Sequence, residues 1–364
     1  MKRFLLFLAL MGAGISLVFA WGVWGHQHIN RSAVFALPAD IRSFFYNHID
    51  FITEEAVVPD LRKYTINDKA EFPRHYIDLE SYFGYPDSGK ITGSRNTSND
   101  GPSAKTPVAF SDSASNIGNL PVTMQEARAR YPDSFLNKNG ILPWYIPEIT
   151  EKLTKAMKEK RKTEILFLAA DLGHYIGDAH MPLHTAVNHN GQLTGQKGIH
   201  ALWEGQLPEF FGAGYNLCTG PAKYIDNIAR ETWQMIDSTH RLAESVLAID
   251  RELAASLPKE NIYLLDAGGN PLKNKFGDPV HTREYAARYH ELLKGMIERQ
   301  LRGAIAETAS FWYTAWVNAG KPDLSGLDPA ELTERNKPFL KRDLQRWQRG
   351  KVDMFEPGGE FTRL

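Results

Sequence analysis

Apolar residues recur at three- and four-residue steps along most of this 364-residue chain, the spacing of helices that bury one face. The segments near 30–48, 144–160, 164–181, 222–256 and 284–318 carry that pattern, and few runs alternate as strands do. The expectation is an all-α fold, a single helical domain over 21–320 with no repeat at a fixed period. One segment differs from the rest. In "ILFLAADLGHYIGDAHMPLH", residues 165–184, Ile165, Leu168, Ala169, Leu172 and Ile176 fall on one helical face. The other side carries Phe167, Ala170, Gly177 and Met181 where a surface helix would place Lys and Glu. Such an element, apolar or small nearly all round, is expected to be a buried central helix. Pro182 cannot continue it, so the helix should end near His180.

Two stretches depart from the helical pattern. Residues 84–121 are rich in Gly, Ser, Asn, Asp and Pro, the composition of a long loop that is functional or disordered. Residues 321–364 read as a polar tail with one short helix and a loose end. At the other terminus Lys2 and Arg3 precede "FLLFLALMGAGISLVFA", the pattern of a secretory signal over 1–20 cleaved after Ala20. The mature chain would then begin at Trp21, be exported to the periplasm or the outside, and keep no stable membrane anchor.

Charge and cysteine content narrow the chemistry. A formal net charge of −1 gives no bulk attraction to nucleic acid or anionic lipid, so any affinity for phosphate must be built locally. The single cysteine, Cys218, excludes an intrachain disulfide and reads as an inert buried thiol.

His174 and Asp178 lie one turn apart on the central helix. An isolated pair of this kind is most simply a structural hydrogen bond, but the chain holds more of the same chemistry. His184 follows just past the helix end. "GIHALWEGQL" repeats the spacing with His200 and Glu204, "VVPDLRKY" offers Asp60, "FPRHYIDL" offers His75, and "WGVWGHQH" offers His26. Imidazole and carboxylate donors without thiolate suit zinc at a catalytic site better than at a structural one.

Taken in order, the N-terminal Trp, WGxxGH, D-x14-H, HxxxDxxxxxH and HxxxE resemble the zinc-dependent phospholipase C / P1 nuclease superfamily from Trp21 to about Glu204. The resemblance implies an exported all-helical hydrolase with three clustered zinc ions. It implies that Asp60, His75, His174 and Asp178 hold one ion, and that His184, His200 and Glu204 hold a second. Trp21, through its free α-amine and carbonyl oxygen, would hold the third with His26, and Asp178 would bridge. An α-amine has a pKa near 8 and loses its proton to a metal at little cost. Water activated by zinc would attack phosphorus in line, with Asp60 and Asp178 organising the catalytic ions. Lys63 matches a position that puts a cation near the phosphate, although alone it reads as a solvated surface charge. Tyr76 and Asp78 match substrate-contacting positions, or are a packed aromatic and a helix-start carboxylate. His180, two residues beyond Asp178 and turned away on the helix, matches no ligand of that family and reads as a supporting or structural group. His28, His48, His189, His240, His281 and His290 have no spacing that argues for metal.

The close WGxxGH spacing resembles the nuclease branch. Glu204 in place of the nucleases' usual aspartate, and a short interval between His184 and His200, pull toward the phospholipases. The leading expectation is therefore an S1/P1-type nuclease cutting single-stranded nucleic acid to 5′-phosphorylated products. The first alternative is a phospholipase C acting on phospholipid head groups, and the second a non-enzymatic zinc-binding exported protein. No protein partner is implied. A nuclease should show aromatic stacking surfaces near the zinc cluster. A phospholipase should show an apolar rim, and a metal-stabilised protein closed coordination with no room for substrate.

Overall fold

The computed structural model describes residues 22–85, 117–274 and 277–350. The expected signal segment 1–20, the expected ligand Trp21, most of the 84–121 loop and the last residues of the tail lie outside them.

The described chain is all-α and forms one domain. Its principal helices are α1 (Gly22–Ala36), α2 (Ala39–Asn47), α3 (Ile49–Glu55), α4 (Leu142–Lys158), α5 (Lys162–Ala179), α6 (Ile228–Ala255), α7 (Arg283–Leu292), α8 (Met296–Asn318) and α9 (Ala330–Gln348). Among the described residues, strand-like pairing is limited to isolated bridges within 263–281. No described helix is long and apolar enough to cross a membrane.

α5 is the buried central helix that its composition predicts. It packs against α1, α3, α4 and α8, and every residue from Leu172 to Ala179 is buried. Its first turns reach the surface, where Phe167 is 41% exposed. The helix stops at Ala179, and Pro182 opens a short 3-10 turn, Pro182–Thr185. Two apolar clusters flank this exit. One gathers Phe45, Trp144 and Trp312 around the upper part of α5, and the other gathers Trp203, Tyr285, Tyr289 and Leu301. Each large buried side chain contributes roughly 1.5–3 kcal/mol of transfer free energy. The chain crosses from the first cluster to the second between Ala179 and Met181. The polar residues of the central motif therefore sit where two apolar masses meet.

Three boundaries differ from the sequence pattern. The 30–48 segment is two helices, because Pro38 takes an extended conformation (φ −66°, ψ 156°) as the cap of α2. The 284–318 segment also breaks, at Lys294 (φ 48°) and Gly295 (φ 75°), both in the left-handed region. The segment expected as a polar tail holds the 19-residue α9, docked on α2. Buried Trp347 stacks on Phe35 with centroids 6.0 Å apart, and Tyr46 donates to Asp343 at 2.7 Å. The anchor residues of α9 are sparse among its charges, so its apolar stripe is easily missed.

Candidate metal centre

Six separate stretches of chain deliver the candidate donors. α1 carries His26. It crosses α5 closely because Gly173 and Gly177 offer no side chain: a Cβ on Gly173 would lie 1.9 Å from Asn30 Oδ1, and one on Gly177 would lie 3.1 Å from His26 Nδ1. Asn30 donates through Nδ2 to Ala170 O (3.0 Å) and Ile52 O (3.3 Å), pinning α1, α3 and α5 together. That crossing lays the His26 ring flat on His174, with centroids 3.8 Å apart and planes at 15°.

Asp60 sits in the turn Val58–Leu61, opened by Pro59, and the wide turn Arg62–Ile66 after it carries Lys63. His75 ends the 3-10 turn Phe72–His75. Backbone bonds clamp this turn: Ile141 N donates to Pro73 O (2.6 Å), Leu142 N to Tyr76 O (3.2 Å) and Ile77 N to His184 O (2.8 Å). Gly140 (φ +84°) permits the close approach, since a Cβ there would lie 2.0 Å from Tyr76 O. His184 comes from the turn after α5, and His200 and Glu204 sit one turn apart on Ile199–Gln206.

These donors converge. His26, His174 and Asp178 offer atoms within 4.8 Å of one another, as do Asp60, His75 and His174, and likewise His184, His200 and Glu204. Asp178 joins the groups: Oδ2 lies 2.9 Å from His75 Nδ1 and 3.3 Å from His174 Nε2, and Oδ1 lies 3.6 Å from His26 Nε2 and 3.4 Å from His184 Nδ1. All but the half-exposed His200 are buried.

Asp178 Oδ1, Asp60 Oδ2 and both ring nitrogens of His26 are buried with no hydrogen-bond partner among the described residues. Leaving such atoms unpaired costs about 1–3 kcal/mol each, more when charged. Cations among them would satisfy all of these atoms at once, so the residues fit a metal centre. His174 donates Nδ1 to Ala56 O (2.8 Å), His184 to His75 O (2.7 Å) and His200 to His189 O (2.8 Å). Those bonds fix the tautomers and leave Nε2 of each ring for a metal.

The electrostatics of the metal-free centre follow from this crowding. Burial pushes His174 and His184 down, but Asp178 pulls both up past their ordinary value, helped by Asp60 for His174 and by Glu204 for His184. Burial and the neighbouring His174 hold His26 well below the imidazole range. Burial would raise Asp178, Asp60 and Glu204. The surrounding imidazoles overcome it at Asp178, Lys63 and His174 overcome it at Asp60, and His200 and His184 take Glu204 to about 2.

The centre opens into a cavity of about 410 Å³. His75, His184, His200 and Glu204 face it, together with Lys63, Tyr76 and Asp78. Lys63, which alone in the sequence reads as a solvated charge, is buried. Its ammonium lies 3.1 Å from Asp60 Oδ1, which raises its pKa against the burial that lowers it. Tyr76 donates its hydroxyl to Lys138 O (2.9 Å). Burial, then Glu80, pushes Asp78 up to about 7 against Lys138.

Sequence reading missed several lining groups: Tyr64, Phe72, Lys138 and Asp278, with His189 set aside as lacking metal spacing. Tyr64 and Phe72, 46% and 37% exposed, meet edge to face at the mouth. Asp278 reaches the wall from the 263–281 segment and accepts from Asn190 Nδ2 (3.0 Å). No local periodicity marks these residues. Glu71, four residues before His75, was also missed, although it has the spacing of the motifs that were found. His180, expected not to be a ligand, donates Nδ1 to Ile176 O (2.9 Å).

No protein-family model matches this chain, and no curated protein gives a significant match.

Proposed function

We propose that this chain is an exported zinc-dependent phosphodiester hydrolase of the phospholipase C / P1 nuclease type, acting on single-stranded nucleic acid. The observation that carries the reading is the convergence of eight donors, His26, Asp60, His75, His174, Asp178, His184, His200 and Glu204, with orphaned buried atoms among them and a cavity along one side. The nitrogen and oxygen donor set, free of thiolate, favours zinc, and three adjacent groupings, two of them joined through His174 and Asp178, favour three ions. Bound divalent cations would supply Lewis acidity, activation of water and neutralisation of phosphate charge.

The chain's own residues supply the rest. Lys63 keeps a fixed positive charge against Asp60 at the cavity wall, where a phosphate oxygen would approach. Tyr64, Phe72 and Tyr76 present aromatic faces around the opening, the sequence-tolerant handle for unpaired bases. The open side of the centre argues against a purely structural metal site, whose coordination would be closed. One observation favours the phospholipase C reading as the second choice. Ile66, 71% exposed, is an unburied apolar residue on the same turn as Tyr64, as an apolar rim for a lipid interface would need.

The test is hydrolysis of single-stranded DNA, RNA and phosphatidylcholine vesicles by the purified mature chain, with and without a chelator. Cleavage of the nucleic acids to 5′-phosphorylated products, lost with chelator and restored by zinc, is the expected result. Turnover of vesicles alone selects the second reading. Absence of chelator-sensitive hydrolysis on all three substrates overturns both.

A further inference from the structure

His75 is oriented differently from the other imidazoles of the centre. His174, His184 and His200 each give Nδ1 to a backbone carbonyl and aim Nε2 at their neighbours. His75 does the reverse. Its Nδ1 lies 2.9 Å from Asp178 Oδ2 and 3.0 Å from His174 Nε2, while its Nε2 is buried and makes no hydrogen bond among the described residues, with Glu71 Oε1 3.4 Å away.

Glu71 is wholly buried and held from three sides. The Tyr175 hydroxyl donates to Oε1, while Arg62 Nε (3.1 Å) and Arg74 Nη1 (2.9 Å) donate to Oε2. Arg62 has a second carboxylate, Asp171, at 2.7 Å from Nη2, and Arg74 also lies over the Tyr145 ring. Neither arginine therefore depends on Glu71 alone for a partner, and both bond Oε2, leaving Oε1, which accepts from Tyr175, as the oxygen beside the imidazole.

We infer that Glu71 is a positioning residue for the cation that His75 holds. As His75 takes up the cation, Glu71 Oε1, 3.4 Å from Nε2, would accept that otherwise unpaired proton and fix the ring in the tautomer with a lone pair on Nδ1, the nitrogen beside Asp60, His174 and Asp178. Its negative charge also makes that nitrogen a better donor. The effect extends further, because the carbonyl of His75 accepts from His184 Nδ1 at 2.7 Å. Holding residue 75 in place thus orients a ligand of the neighbouring grouping as well. The inference rests on the metal-centre reading above and deepens it.

Full-length mature protein, stripped and titrated with zinc against a competing chelator, tests the role in Glu71→Gln, Glu71→Ala and Tyr175→Phe. Glutamine keeps an acceptor oxygen but loses the charge. The expected order of zinc affinity is wild type above Glu71→Gln above Glu71→Ala, with a loss of about 10–100-fold in one equivalent. Tyr175→Phe should stay within a few-fold of wild type, and cobalt substitution should show an altered absorption spectrum in the Glu71 variants alone. A merely structural glutamate would lower the melting temperature of the metal-free variants and leave zinc affinity and the cobalt spectrum unchanged, which overturns the role. Nitrogen-15 histidine spectra of zinc-loaded wild type provide a test without a variant: metal on Nδ1 and a proton on Nε2 of His75 support it, and the opposite assignment overturns it. Wild-type protein that takes up no zinc overturns the centre and this role together, whereas normal wild-type uptake with unchanged variants overturns the role alone.

Discussion

The protein buries histidines in two kinds of place. His28, His180, His240 and His281 are all buried, as are most of the centre's imidazoles. His28 donates to Trp24 O (2.6 Å) and stacks on Trp24, His180 bonds Ile176 O, His240 meets the Thr185 hydroxyl at 3.2 Å, and His281 stacks on Tyr285. Burial dominates all four, drawing His28 down to about 3 and the others to about 4, so they remain neutral. In the centre the same burial is outweighed at His174 and His184 by Asp178. Depth therefore does not separate a packing histidine from a ligand. What separates them is the second nitrogen, which in the centre faces another imidazole or a carboxylate from a different element.

The strongest way to break that comparison is to remove Asp178, the carboxylate that joins two of the groupings. Asp178→Asn should lose zinc from the groupings containing His26, His75 and His174 and lower phosphodiester hydrolysis by roughly 10³-fold, since cation stabilisation of the reacting phosphate is worth several kcal/mol. Metal analysis alongside kcat/KM checks it. Retained zinc with unchanged turnover would dissolve the distinction between the two histidine classes.

A second effect, smaller, concerns pH. In the metal-free protein His174 and His184 are raised, so their contribution is full below about 6.5 and is lost as pH rises through their folded values. Asp60, Asp178 and Glu204 are depressed, so theirs is present above about 4.5 and is lost as pH falls through their folded values. His26 and the four packing histidines are depressed instead, so their contribution is present above about 6.5 and is lost as pH falls. They outnumber the two raised imidazoles, so metal-free protein should melt highest just above about pH 6.5. Zinc-loaded protein should instead gain stability toward pH 8, because protons no longer compete for the donors, and exceed the metal-free form by about 4 kcal/mol at a thousandfold excess over Kd. Thermal melts of both forms across pH 4–8 show whether the two optima separate.

The smallest expected effect belongs to a packing histidine. His240→Ala should cost roughly 2 kcal/mol of stability and leave zinc content and kcat unchanged. Zinc loss in this variant would move His240 into the other class.

How much of this was legible in the sequence depends on whether each signal is local. The i, i+4 pairs His174/Asp178 and His200/Glu204, and the apolar girdle of α5, are written within single turns. That Asp60 and His75 belong together came from resemblance alone, since fifteen residues of irregular chain carry no period. Glu71 had the right spacing from His75, but beside Phe72-Pro73 it does not look helical, and its partners Arg62, Tyr175 and Arg74 meet only in three dimensions. Lys138 and Asp278 reach the cavity by tertiary packing, which no window along the chain could reveal. The docking of α9 escaped notice for a similar reason: a few anchors among many charges count only against a surface already folded.

The contact between Asn30 and Gly173 makes the donor geometry answerable to a position that binds nothing. Any side chain at 173 would displace Asn30, lift the first helix from the central one and unstack the His26 and His174 rings. Inherited changes at this crossing would respace the candidate donors while every one of them stayed the same, so the fit of the centre to any cation is written partly in a residue without a side chain.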